Sequence, residues 1–163
     1  MSTASFALVI NIRVVTGLVA TASGTTQVNV TWNPLGGSNH YEVYRTDHNA
    51  PLSLRATPTG TSYTDIAVAA GTTYVYQVRS IDGSGVPPAM SQPEMATTIV
   101  FTDDPLVPGA TPVKAIHVTQ LRAAVLAVAA AVGQSPTFTD HPLPPGVAIK
   151  AGRVAGRRCA AAT

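Results

Sequence analysis

The chain has 163 residues, of which 45% are hydrophobic and only 11% are charged, and its formal net charge is +2. This length suits one ordinary domain with an appendage. The small charge argues against nucleic acid or an anionic membrane as the partner. Cys159 is the single cysteine, which excludes an internal disulfide and a multi-cysteine metal site.

The N-terminal segment, residues 1–13, contains an apolar stretch at 6–10. It lacks the basic start and the small-residue cleavage pattern of a signal peptide. The longest apolar run, at 123–132, has ten residues and is too short for a transmembrane helix. We therefore predict no membrane insertion.

Residues up to about 100 alternate apolar and polar side chains with the period of two that strands show. In chain order, the alternating runs read QVNVTWN, HYEVYR and TYVYQVRSI. Turn-forming segments separate the strands at intervals of about 10–12 residues, which is typical of β-sandwiches. Five aromatic residues are assigned to the sandwich core: Trp32, Tyr41, Tyr63, Tyr74 and Tyr76.

Two landmarks carry a family resemblance. Trp32 falls in the second strand, and the segment VAAGTTY at 68–74 leads into a long strand. Residues 14–99 resemble a fibronectin type III domain, in which a Trp of strand B packs in the core and Leu-x-Pro-Gly-Thr-x-Tyr leads into strand F. Gly71, Thr72 and Tyr74 match that segment, whereas Val68 replaces its Leu and Ala70 replaces its Pro.

The resemblance implies an all-β, immunoglobulin-like sandwich of seven strands over 14–100, followed by a C-terminal α-helical appendage. It places strand A near 18–22, strand E near 62–65 and strand G near 95–100. It also implies that Tyr74 forms the tyrosine corner, with its hydroxyl bonded to a backbone group upstream. The family's integrin-binding Arg-Gly-Asp is absent, since the corresponding loop reads Asp-Gly-Ser-Gly.

After residue 100 the pattern becomes helical. Thr111 is predicted as the N-cap of a helix over 112–132, and Gly133 as its stop. Apolar residues at helical spacing form one stripe, which we expect to face the sandwich or a partner chain. This stripe consists of Val118, Leu121, Val125, Val128 and Val132.

The segment FTDDPLVPG at Phe101 returns as FTDHPLPPG at Phe138, 37 positions later. We therefore predict a tandem loop–helix repeat, with a first copy at 101–134 and a second, degenerate copy at 135–163. Residues 147–163 of the second copy are predicted to be a disordered tail. The loop–helix unit resembles repeats that follow fibronectin type III domains in large bacterial secreted or surface proteins, whose helix carries Lys-Ala-x-His-x-x-x-Leu-Arg. The first copy has this motif in Lys114, Ala115, His117, Leu121 and Arg122. In the second copy, Gly152, Arg153, Gly156 and Arg157 stand where Ile116, His117, Gln120 and Leu121 stand in the first. The two glycines and the change from an apolar Leu to Arg are expected to disrupt this helix.

If the chain is an enzyme, we expect a small ester or lactone hydrolase. Its candidate side chains are His40, His48, His141, Asp47 and Asp82, from the loops at 36–40, 47–51 and 82–88 and from the second repeat. Asp140–His141 and its counterpart Asp103–Asp104 are interpreted as turns before a helix, because no second ligand set has motif spacing. His117 is interpreted as a helix-face or interface residue.

The sequence contains no nucleophile elbow and no phosphate loop. Outside the predicted core and the repeats, only Tyr44 and Phe6 remain for an aromatic sugar-binding platform, which argues against such a platform. Since no motif points to a site, we assign no catalytic, cofactor-binding or metal-ligating residue. The predicted function is a non-catalytic spacer or interaction module of a larger bacterial extracellular or surface protein. A small hydrolase and a carbohydrate-binding accessory domain are the alternatives. The expected partners are other domains of the parent protein or another protein chain, including self-association through the helix at 112–132.

Overall fold

The computed structural model describes residues 13–47, 50–84 and 88–138. Within these ranges the elements are β1 (Val19–Ala22), β2 (Val28–Thr31), β3 (His40–Asp47), β4 (Ser53–Ala56), β5 (Ser62–Asp65), β6 (Thr73–Ile81), β7 (Glu94–Thr97) and α1 (Ala115–Ala131). The strands form two antiparallel sheets, with the orders β1-β2-β5 and β4-β3-β6-β7. The predicted seven-strand, fibronectin type III-like sandwich with a C-terminal helix is confirmed.

The core lies between the two sheets and is filled by every second side chain of the long strands. In β3 the buried residues alternate with half-buried ones. β6 shows the same alternation from Tyr74 to its end at Ile81. The fully buried valines of β2, β3 and β6 meet the aromatic rings there, which removes a continuous apolar surface from water. The core consists of Val15, Ala20, Val28, Val30, Trp32, Tyr41, Val43, Tyr74, Tyr76, Val78 and Ala96.

Trp32 joins the two sheets. It directly follows β2 rather than lying within it, and its backbone N–H donates to the Thr61 carbonyl oxygen. Its indole packs edge-on against Tyr41 of the opposite sheet, with a centroid distance of 5.4 Å. Trp32 is 5% exposed, so its predicted burial between the sheets is confirmed.

The predicted tyrosine corner is also confirmed. The Ala69 backbone N–H donates to the Tyr74 hydroxyl oxygen at 2.7 Å, five residues upstream. Gly71 lies between them with a φ of +71°, a backbone conformation that glycine adopts without steric cost. This bond fixes the path of the chain as it enters β6.

The observed strand boundaries differ in places from those predicted from the sequence, because pairing between backbones determines where a strand ends. The predicted strand E coincides with β5, whereas β7 covers 94–97 and ends earlier than the predicted strand G. β4 was not located by the sequence pattern, because three of its four side chains are exposed and so show no alternation. It pairs with β3 across a register shift at Val43/Tyr44 and forms an edge of the four-stranded sheet.

The predicted N-cap of the helix is wrong. Thr111 closes a preceding turn instead: its hydroxyl accepts a hydrogen bond from the Val107 N–H, and its own N–H donates to the Val107 carbonyl. Lys114 is the N-cap, so α1 begins at Ala115 rather than at 112. The predicted stop is confirmed, since Gly133 has a φ of +73° and donates to the Ala130 carbonyl at the helix end.

The sandwich covers only the beginning of the predicted apolar stripe. α1 lies against β6 and β7, where Val118 and Arg122 are buried. The other side chains of the stripe are exposed, namely Leu121, Val125, Val128 and Val132. The sandwich therefore does not bury them, and the alternative that they face a partner chain stays a prediction. No helix in the described ranges combines the length and the apolar character needed to cross a membrane.

Candidate functional site

The structure separates the candidate hydrolase residues. His40 begins β3 and Asp47 ends it, so roughly 24 Å of extended strand lies between them. Asp82 lies near His40, because the adjacent Ile81 pairs with His40 in the sheet. His48 and His141 fall outside the described residues. The described members of the predicted set therefore occupy opposite ends of the sandwich and do not form a triad.

Asp82 shapes its own turn. Its carboxylate accepts hydrogen bonds from the Ser84 backbone N–H and hydroxyl, and it pairs with Arg13 at 3.0 Å. The hydrogen bonds from Ser84 hold the pKa of Asp82 below its usual range, with a smaller contribution from the Arg13 charge. This is the pattern of an Asp that stabilises a loop.

The clearest concave surface lies between the first repeat's loop and α1. It is a groove of about 540 Å³. Its walls are mostly apolar, and its polar groups come from the loop and from the first turns of the helix. The lining residues are Phe101, Thr102, Asp103, Asp104, Leu106, Val113, His117, Val118, Gln120 and Leu121. The sequence predicted the loop and the helix but not the groove, because residue spacing does not indicate that Leu106 and Val113 lie near Leu121.

Asp103 is held at the edge of this groove by two helix residues. Its carboxylate Oδ2 lies 2.7 Å from Lys114 Nζ and 3.2 Å from His117 Nε2. Asp103 has a φ of +58°, the left-handed region that Asp tolerates better than most residues. Hydrogen bonding by Lys114, and then by His117, lowers the pKa of Asp103. The predicted Asp turn is thus also an ionic clasp between the loop and the helix.

Both ring nitrogens of His117 are engaged. Nδ1 accepts a hydrogen bond from the Lys114 backbone N–H at 3.1 Å, so the proton of the neutral ring is on Nε2 and points to Asp103. A general base needs a nitrogen lone pair directed at the substrate. In this arrangement His117 instead caps the first turn of α1, which agrees with its predicted place on a helix face.

The other polar side chains of the groove also join the loop to the helix. The Thr102 backbone N–H donates to Gln120 Oε1 at 2.8 Å, and Gln120 Nε2 donates to the Thr102 hydroxyl at 2.9 Å. Among residues 13–47, 50–84 and 88–138, no three His, Cys, Asp or Glu side chains lie close enough to hold a metal ion. The groove can therefore accept an apolar group, but it lacks an activated nucleophile of its own.

Aromatic rings do not form an exposed platform in the described part of the chain. Every described Trp, Tyr and Phe is buried or half-buried. Tyr44, the ring left for a platform by the sequence pattern, donates its hydroxyl to Glu42 Oε2 at 2.8 Å and lies under the Arg79 guanidinium. Arg79 in turn pairs with Glu42 at 2.6 Å. This cluster braces β3 against β6 on the outer face of the sheet.

A charged pair that the sequence pattern did not reveal lies inside the sandwich. Asp65 Oδ2 accepts hydrogen bonds from Arg45 at 2.7 Å and from the Tyr76 hydroxyl at 3.1 Å. The Arg45 guanidinium also stacks over the Tyr74 ring at 4.6 Å. Burial, followed by the Asp65 charge, raises the pKa of Tyr76. The only available signal was the alternation of β3, which places Arg45 on the same face as Tyr41 and Val43.

Comparison with curated proteins identifies bacterial relatives of part of the chain. A poly(3-hydroxybutyrate) depolymerase of Ralstonia pickettii is 37% identical over 83 residues, or 51% of this chain. A poly(3-hydroxybutyrate) depolymerase of Delftia acidovorans is 36% identical over 76 residues, or 47% of this chain. The chain spans only 15% of the length of each relative. No family model matches the sequence.

Solved structures give similar partial matches. A fibronectin type III-like protein from Clostridium thermocellum has 36% sequence identity and a TM-score of 0.46, covering 51% of this chain and 88% of that one. A human fibronectin type III domain has 16% identity and a TM-score of 0.47, covering 63% and 86% of the two chains. The two antiparallel sheets, the buried Trp32 and the Tyr74 corner of this chain are themselves the features of a fibronectin type III-like sandwich. Within its described residues, the chain thus contains a fibronectin type III-like sandwich followed by one α-helix, and about half of the chain has bacterial relatives.

Proposed function

We propose that the chain is a non-catalytic spacer and interaction module of a larger bacterial extracellular or surface protein. The observation that carries this proposal is the engagement of its described polar groups. Arg45 and Asp65 hold the sheets together, Asp103 and His117 clasp the loop to the helix, and Asp82 shapes a turn. In each case the hydrogen bonds join parts of the chain to one another, which is the pattern of structural groups and not of a reaction site.

The partial match to the depolymerases supports a role within a longer chain. A stretch of 83 residues that makes up 15% of a relative is about the size of one sandwich domain. We propose that the parent protein acts on a polymer of the poly(3-hydroxybutyrate) kind and that this module separates its other domains. The module's partners are then the neighbouring domains of the parent protein.

The construction of the sandwich suits a spacer. A spacer transmits distance only if it stays folded without help from its neighbours. The aromatic core, the buried Arg45–Asp65 pair and the Tyr74 corner all lie within residues 13–98 and require no second chain. A self-sufficient core of this kind is the usual criterion for an independent domain.

The hydrolase alternative depends on one observation, the contact between Asp103 and His117 beside the groove. A carboxylate that orients a histidine is part of many hydrolytic sites. Here the second nitrogen of the ring accepts the Lys114 N–H, so that bond must break before His117 acts as a base. This requirement favours the spacer.

Assays of turnover and binding on the purified full chain test the proposal. Wild type, His117→Ala and His40→Ala are compared on poly(3-hydroxybutyrate) granules, soluble esters, lactones and glycosides. We expect background turnover from all three. Turnover that survives repurification and disappears in His117→Ala or in His40→Ala would establish the hydrolase instead. Sedimentation with the granules, and separately with insoluble polysaccharide, tests the accessory-domain alternative, and we expect the chain to stay in the supernatant.

A further inference from the structure

The groove beside α1 leaves apolar surface in contact with solvent. Leu106, Val113 and Leu121 in its wall are 51%, 70% and 45% exposed. The helix that forms one side has no Lys, Asp or Glu between Ala115 and Ala131, and its one arginine, Arg122, is buried. An uncharged helix face next to an apolar groove needs a cover to be stable in water.

The chain itself returns to this region after the helix ends. Gly133 turns it back, and the Phe138 ring lies 5.0 Å from the Arg122 guanidinium. Arg122 is nine residues before the last helical residue, Ala131, which corresponds to roughly 13 Å along the axis. From 133 to 138 the chain therefore runs alongside α1 toward its N-terminal end. The groove lies ahead in that same direction, at Val118 and Leu121.

The repeated sequence supplies a precedent for this contact. Phe101, which begins the first repeat, lies in a hollow at the sandwich edge together with Ala20, Met95 and Val100. Phe138, its counterpart at the start of the second repeat, lies on α1 of the first repeat. Each loop phenylalanine thus rests on the unit that precedes it in the chain.

We propose that the apolar groove is the docking site of the second repeat's loop, residues 139–146, with Phe138 stacked on Arg122 as the anchor. Five extended residues reach roughly 15 Å, and about 6 Å separates Arg122 from Val118 along the helix. Leu143 and the flanking Pro142 and Pro144 can therefore reach the groove without reversing the chain. A proline-rich segment loses little conformational entropy on docking, which favours this occupant.

Cross-linking in the full-length chain tests this proposal. Cys159→Ser removes the native cysteine, and two double variants are compared in that background with a short bis-maleimide at high dilution. Leu121→Cys with Leu143→Cys places one thiol in the groove wall and one in the docking segment. Ala123→Cys with Leu143→Cys is the matched control, because Ala123 is exposed, does not line the groove and lies roughly 200° around the helix from Leu121.

The proposal predicts an intramolecular cross-link that forms several-fold faster in the Leu121 variant than in the Ala123 variant. Leu143→Asp, with the cysteines restored to their native residues, should increase amide hydrogen exchange at 118–121, whereas Ala148→Asp should not. Equal cross-linking rates, or no cross-link in either variant, would overturn the proposal. Cross-links formed only between chains would assign the groove to a second copy and would overturn it as well.

Discussion

The sandwich and the loop–helix unit behind it are held together by different means. In β3 and β6, alternate side chains enter a shared core, so that Val43, Tyr76 and Val78 are fully buried. α1 buries only Val118 and Arg122, and its loop is held by the Asp103 clasp and by the Thr102–Gln120 pair. Burial of apolar area contributes far more to stability than a few exposed hydrogen bonds and ion pairs. The sandwich is therefore self-sufficient, whereas the helix depends on the sandwich and on what covers its free side.

The largest expected effect tests the core. Trp32→Ala should lower the free energy of unfolding by about 4 kcal/mol, because it removes a large side chain from between the sheets and leaves a cavity. Trp32→Phe is the control and should cost clearly less, since Trp32 Nε1 has no hydrogen-bond partner among the described residues to lose. Thermal unfolding followed by circular dichroism measures both. Equal, small effects would mean that Trp32 does not join the two sheets.

The next effect tests the buried ion pair. Asp65→Asn leaves the Arg45 guanidinium, whose side chain is 8% exposed, without its counter-charge. We expect a loss of about 3 kcal/mol, as for other buried pairs broken on one side. Asp82→Asn is the matched control, because its partner Arg13 is 32% exposed, and it should change chemical denaturation very little. A loss for Asp82→Asn as large as that for Asp65→Asn would contradict this account of the core.

The smallest effect tests the clasp. Since the pKa of Asp103 is held below its ordinary value of 3.8, its contribution to stability is present above that value. The contribution is lost as the pH falls through the lowered pKa of the folded state. Amide exchange at His117 should therefore increase relative to the core of β6 between about pH 5 and about pH 2. In Asp103→Asn this pH dependence should be absent. An unchanged dependence in that variant would assign the acid response to another group.

The sequence predicted the sandwich well because its strands are buried on one face. The buried residues Tyr41 and Val43 in β3, and Tyr76 and Val78 in β6, alternate with less buried residues, and this period of two is visible in the sequence. β4 gave no such signal, since an edge strand with exposed side chains has no core face to encode. Its position is set by pairing with β3, a non-local property that local pattern does not carry.

The candidate site was less predictable. The helix motif includes Lys114 and His117, but it does not indicate that both side chains bind Asp103. That contact depends on the left-handed backbone of Asp103 and on the Thr111 turn, which displaces the helix start by three residues. Likewise, the apolar stripe predicted which side chains share a face, but the extent of their burial depends on how far β6 and β7 reach along the helix. The predicted disorder of 147–163 lies outside the described residues and stays a prediction.

Two-probe denaturant unfolding of the full chain tests most directly the central claim, a self-sufficient sandwich with a dependent helix. Trp32 is the only tryptophan, so its fluorescence reports the sandwich, while the helical circular dichroism signal reports α1. We predict that the helical signal is lost at a lower denaturant concentration, and that the Trp32 transition keeps its midpoint when Val118→Asp weakens the contact between α1 and the sandwich. Coincident transitions that shift together in this variant would show that sandwich and helix form one cooperative unit, and would contradict the account.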